Sequence, residues 1–107
     1  MPADFYPVAI THGLLFDLRD GEHPSRVFGV DHAALSLADD DTHFCLITDG
    51  EVTIVRDRDR FTLRPGAFCV VPGAGTIDGT AGRSLVISRL QYRGLFQIGG
   101  PLEAGGR

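Results

Sequence analysis

The chain contains no lysine, no asparagine and no tryptophan. Without lysine there is no Schiff-base nucleophile and no phosphate-loop lysine, and without asparagine there is no N-glycosylation acceptor. Cysteine is scarce. Cys45 and Cys69 are the only two, they form no Cys-any-any-Cys pair, and each sits inside an apolar run. That excludes a disulfide scaffold and reads instead as two buried thiols in a reducing compartment. Positive charge is in deficit. Ten basic residues, all arginine, face 14 acidic ones, for a net charge of −4 and a pI near 5.4. A broad nucleic-acid-binding surface is excluded on electrostatic grounds. No apolar run approaches membrane-spanning length, and the opening Met-Pro-Ala-Asp-Phe-Tyr-Pro lacks the basic-then-apolar character of a secretory leader. The expectation is a cytoplasmic protein with neither a membrane nor a nucleic acid as partner.

With 107 residues, 43% of them hydrophobic and 22% charged, the chain suffices for one domain and not for two. Fourteen glycines and six prolines cut it into short pieces, none with a helical period. The pieces read as strands. Ala9–Leu18 is apolar with His12 and Asp17 interrupting it, and Val27–Val30 is a short β-branched and aromatic run. In Ala33–Leu37, residues Ala33, Leu35 and Leu37 share one face. Phe44–Thr48 runs into Asp49-Gly50, a dipeptide that signals a tight hairpin because it tolerates positive φ. Glu51–Arg56 alternates, Asp57-Arg58-Asp59-Arg60 makes a polar turn, and Phe61–Leu63 resumes a strand. Ala67–Val71 follows the turn at Arg64-Pro65-Gly66, Ile77–Gly82 reads as a loop or edge segment, and Ser84–Leu90 as the last strand. About seven or eight closely spaced strands with no covering helix predict an antiparallel sandwich or barrel. Residues 95–107 are rich in Gly and Pro and read as a tail or linker after a domain over 1–94.

From His43 to Gly75, about a third of the chain, the order of features is specific. A strand reaches Gly50, a polar turn follows, and Leu63-Arg64-Pro65-Gly66 leads on to Pro72-Gly73. This order and spacing resemble the cupin superfamily, whose fold is a small antiparallel jelly-roll barrel. The resemblance implies an all-β barrel of that type. Metal-binding cupins draw two histidines and a carboxylate from a first motif and a third histidine from a second. Carried over by spacing, the carboxylate falls on His43, the histidine pair on Leu37 and Asp39 (or Ser36 and Ala38), and the last histidine on Ile77. An isoleucine cannot ligate a metal, so the resemblance implies the barrel with a degenerate metal site and no cofactor.

The candidate site residues follow from both readings. His43 shares a strand face with Cys45 and Ile47, the face the family turns inward, and is the candidate acid or base. Tyr92 is its candidate catalytic partner, and Arg89, Cys45 and Ile77 are the candidate ligand-binding residues. Cys45 lies about 7 Å from His43 along the strand, too far for a direct hydrogen bond. Asp39-Asp40-Asp41 reads as a solvated turn, or alternatively as a source of oxygen ligands beside His43. His12, His23 and His32 are scattered, and Arg56 and Arg93 stand near strand ends. Two function classes remain open. One is a small-molecule-binding or structural barrel, the non-catalytic half of a two-barrel protein or a homodimer. The other is a small metal-independent enzyme of isomerase, dehydratase or cyclase type using His43. Phe44 and Leu46, apolar on the face opposite His43, suit packing against a second barrel.

Overall fold

The computed structural model describes residues 12–18, 20, 24–90 and 94–100. Eight strands order them: β1 (Gly13–Asp17), β2 (Ser25–Leu37), β3 (Asp41–Gly50), β4 (Val52–Arg56), β5 (Asp59–Leu63), β6 (Phe68–Pro72), β7 (Gly75–Leu90) and β8 (Gln97–Gly99). Every ladder is antiparallel. The order across the main sheet is β1-β2-β7-β3-β6-β8, with β4 joining β7 and β5 joining β4.

Two long strands make the barrel. The first half of β2 pairs with the second half of β7, and the second half of β2 with the first half of β7, the register shifting between Asp31 and Ala33. At that shift His32 takes φ 52°, a left-handed value that bends the strand. Beyond the bend β7 leaves β3 and pairs with β4 instead. Two sheets thus share the long strands and enclose one core, an antiparallel jelly-roll barrel. The core comprises Val30, Leu37, Cys45, Ile47, Val52, Ile54, Leu63, Ala67, Cys69, Val71, Ile77 and Val86. Its members alternate with outward residues along each strand, as the pleat requires.

Three local expectations are corrected. Asp49-Gly50 does not close a hairpin, because β3 and β4 do not pair with each other; Gly50 (φ 65°) is the corner at which the chain crosses between sheets, facing Gly82. Ile77–Gly82 is the middle of β7 rather than a loop, its strand signal masked by glycines that allow close backbone approach. A Cβ on Gly79 would stand 2.7 Å from Val30 Cγ1 and 3.0 Å from the Ala33 carbonyl. Val27–Val30 and Ala33–Leu37 belong to one bent strand. The polar turn falls on Asp57-Arg58, with Asp57 at φ 55°, and closes the β4–β5 hairpin. Within residues 95–107, Gln97–Gly99 adds a strand to β6. No helix among the described residues is long and apolar enough to cross a membrane.

Candidate functional site

His43 enters the interior because β3 alternates, which places it with Cys45 and Ile47 on the core side. The register then sets Ser88 of β7 beside it on one flank and Val71 of β6 on the other. Both ring nitrogens are engaged: Nδ1 lies 2.6 Å from Ser88 Oγ, and Nε2 lies 2.9 Å from the Ala38 carbonyl oxygen. A carbonyl only accepts, so Nε2–H donates to it, and Nδ1 of the neutral ring accepts from the Ser88 hydroxyl. Burial holds the imidazole below its ordinary value. The Ala38 carbonyl and the Asp41 carboxylate pull upward, and the Arg26 charge adds to the lowering.

The lowered value makes His43 a source of pH-dependent stability. The unfolded chain protonates this histidine near 6.5 while the folded one keeps it neutral, so stability is fully present above that pH. It is lost as pH falls from 6.5 toward the folded value. Thermal melts between pH 8 and pH 5 are expected to show the wild type weakening on the acid side, with His43→Gln flattening that slope. An unchanged slope in the variant would refute the assignment.

The same end of the barrel gathers Asp41, from the acidic triplet, with Arg26 and Ser88, which the sequence patterns did not single out. Arg26 on β2 is opposite Ser88, and its Nη2 donates to Asp41 Oδ2 at 2.9 Å, a pair spanning the end of β7. Asp41 is 3% exposed and its Oδ1 has no hydrogen-bond partner among the described residues. Of the acidic triplet only Asp39 and Asp40 form the exposed turn; Asp41 opens β3 and turns inside. Arg26, Ser88 and His43 therefore form one inward row across β2, β7 and β3, with Asp41 above it. The second unpartnered buried atom is Ser84 Oγ, farther along β7 between Val30 and Ile47.

The other candidates divide by face. Ile77 is fully buried in the smaller sheet between Leu35 and Ile54. Cys45 and Cys69 are directly opposite in the β3–β6 ladder, both reduced and buried. Burial pushes the Cys69 thiol up to about 11 against the opposing Arg56 charge, and raises Cys45 further, with Cys69 contributing. Both thiols are held protonated, which disfavours nucleophilic chemistry. Arg89 follows Ser88 and so lies on the opposite side of β7, opposite Thr42 and Ser25. Tyr92, His23 and Arg93 lie outside the described residues.

The donor set does not fit the metal that metal-binding cupins hold. Of the positions onto which the resemblance carries the ligands, Leu37 and Ile77 are buried hydrocarbons, Asp39 (like Ala38 in the alternative register) is exposed at the turn before β3, and His43 gives its Nε2 proton to Ala38. No three His, Cys, Asp or Glu side chains among the described residues are grouped to hold a metal ion.

Comparison with known proteins bears on the fold. No protein-family model matches the chain, and no curated protein does. Among solved structures it is similar to the EutQ protein of Clostridium difficile, at 13% identity over 73% of this chain and 60% of that one, with a TM-score of 0.55. It is similar to an ethanolamine utilization protein, EutQ, of Salmonella typhimurium LT2 at 11% identity, covering 73% and 66% of the two chains with a TM-score of 0.55. A cupin 2 domain-containing protein of Halorhodospira halophila aligns at 22% identity over 79% and 66%, with a TM-score of 0.52. The chain thus spans between 60% and 66% of the length of these three. The likeness is one of architecture, and the chain has the cupin fold.

Proposed function

We propose that this cupin-fold chain is a small-molecule-binding or structural barrel that has lost the superfamily's metal site and works paired with a second barrel. One observation carries the reading: His43 spends both nitrogens on Ser88 and Ala38, while Ile77, the position to which the resemblance carries the last histidine, is a fully buried hydrocarbon. The unpartnered Asp41 Oδ1 supports a small ligand that donates a hydrogen bond at this end. A second copy, or the other barrel of a longer chain, is supported by the outward face of the main sheet. There Phe16 and Ile87 lie on one cross-strand row and Leu46 and Phe68 on the next, from 37% to 62% exposed. A cytoplasmic setting is supported by the two free thiols.

The enzyme reading, with His43 as acid or base, has one feature in its favour, the Ser88 hydroxyl held 2.6 Å from the unprotonated Nδ1. Both residues are 2% exposed, which favours a satisfied interior pair over a group that meets substrate. The test is native mass spectrometry on protein purified without chelator, alongside melting curves with and without EDTA. The expected result is a dimer carrying no stoichiometric metal and a melt indifferent to EDTA. Stoichiometric metal with an EDTA-sensitive melt would overturn the lost-site reading, and a monomer at all concentrations would remove pairing with a second copy.

A further inference from the structure

The barrel is open on one side, and the chain closes it with its own aromatic ring. Among the described residues β5 pairs only with β4, and β8 only with β6, so no ladder joins the β4–β5 hairpin to the main sheet on that side. Phe96, the residue preceding β8, spans the gap. Its ring centroid lies 5.1 Å from that of Phe61 on β5 at an interplanar angle of 43°, and the Arg56 guanidinium lies 4.9 Å from its centroid. Phe61 is opposite Ile54, an interior residue, so its ring faces inward. Continuing the β6–β8 register places Phe96 beside Val71, in the row that runs through Ser88 and His43. The neighbouring Leu95 is turned out, 75% exposed.

We propose that the space between Phe61 and Arg56 is a binding slot for an aromatic carboxylate, and that Phe96 occupies it as a built-in competitor. The slot offers a tilted neighbouring ring and a cation over the ring face, an environment that any flat aromatic ring satisfies. Phe96 leaves one capacity unused. No carboxylate among the described residues forms an ion pair with Arg56, although Asp59 is its partner in the hairpin register. A ligand ring carrying a carboxylate would take the tilted ring contact that Phe96 makes with Phe61 and exchange its cation-over-face contact for a charge-assisted, fork-like pairing to the guanidinium. The competitor is held by a short element. β8 has three residues, Gly99 packing under the Phe68 ring and Ile98 beside Cys69. Its release is therefore a local event. A ligand sees the affinity of the slot reduced by the fraction of molecules in which Phe96 has withdrawn.

The inference rests on the binding-barrel reading in supposing that small molecules enter, and the experiment separates the two. Benzoate is titrated into ¹⁵N-labelled wild type and Phe96→Ala, monitoring the arginine Nε–H and histidine ring signals. Phe96→Ala is expected to bind benzoate roughly tenfold more tightly than wild type, the factor set by losing one ring contact and one cation–π contact. Its Arg56 Nε–H signal should move on binding, and adding Arg56→Gln should abolish the gain. Equal affinity of wild type and Phe96→Ala, or a gain that survives Arg56→Gln, overturns the slot. Shifts confined to His43 overturn it too while leaving a ligand-binding barrel in place. Should Phe96→Ala fail to fold, the wild type decides. At saturating benzoate, a nuclear Overhauser contact from benzoate to the Phe61 ring should replace that from Phe96, and persistence of the Phe96–Phe61 contact overturns the proposal.

Discussion

Gly50→Val is expected to lose about 3 kcal/mol of stability, roughly 15 °C in melting temperature for a domain of this size. Two costs combine. At φ 65° a β-branched residue sits in the left-handed region it tolerates least. A Cβ there would also collide with the Ala81 carbonyl oxygen and stand 2.8 Å from Gly82 Cα. Both obstacles are backbone, which cannot rotate away as a side-chain end can. Gly82 is bound by the same contact from the other side, since its own Cβ would meet the Asp49 carbonyl oxygen. Gly13→Ala separates the two effects. Gly13 has φ 122°, and a methyl group on its Cα would meet nothing within 4 Å, so it should lose only the backbone contribution, about 1 kcal/mol. Chemical denaturation of the two variants measures both, and a Gly50→Val protein within about 0.5 kcal/mol of wild type would show that the corner does not constrain the fold.

Arg26→Ala should cost nearly as much, about 2 to 3 kcal/mol. The Asp41 side chain is 2% exposed against 30% for Arg26, so the substitution strands the buried member of the pair. Asp41 Oδ1 already lacks a partner among the described residues, and Oδ2 would lose the 2.9 Å bond. The half-exposed guanidinium also covers the Phe28 ring at 5.6 Å, packing that alanine removes. The cost comes from leaving a charge unpaired in the interior rather than from the worth of the pair itself. Arg26→Ala combined with Asp41→Leu should accordingly recover more than half of the loss. A thermodynamic cycle over the two sites reads this coupling. If Arg26→Ala alone proved neutral, the carboxylate would not be buried in the way its surroundings imply.

These two residues show how differently the molecule is encoded. Gly50 is legible, and for nearly the right reason: Asp-Gly after an apolar run marks a positive φ, and only the kind of turn differs. A local signal reports a local dihedral, but whether the flanking strands pair depends on where the chain goes next. Here β7 lies between β3 and β4 in the pairing. Arg26, Asp41 and Ser88 have no such signal. Arg26 and Asp41 are 15 residues apart, and His43 and Ser88 are 45 apart. Their meeting follows from strand order and register. Asp41 inside Asp39-Asp40-Asp41 is hidden by its neighbours, since three aspartates read as a solvated turn and one residue of phase separates turn from strand. His43 is readable as an inward residue by its parity with Cys45 and Ile47. That both its nitrogens are spent is not.

By itself the sequence determined the all-β antiparallel class, the inward parity of His43, Cys45 and Ile47, and the positive φ at Gly50. All of these follow from residue type and from spacing over a few positions, where the two-residue pleat and steric limits on φ act directly. The tertiary structure decided which polar groups share the interior, which proton His43 carries, and that Phe96 covers the open side between Arg56 and Phe61. Those depend on closing long loops of chain into one register. A register is selected by the burial of the whole core, to which no single residue holds the key.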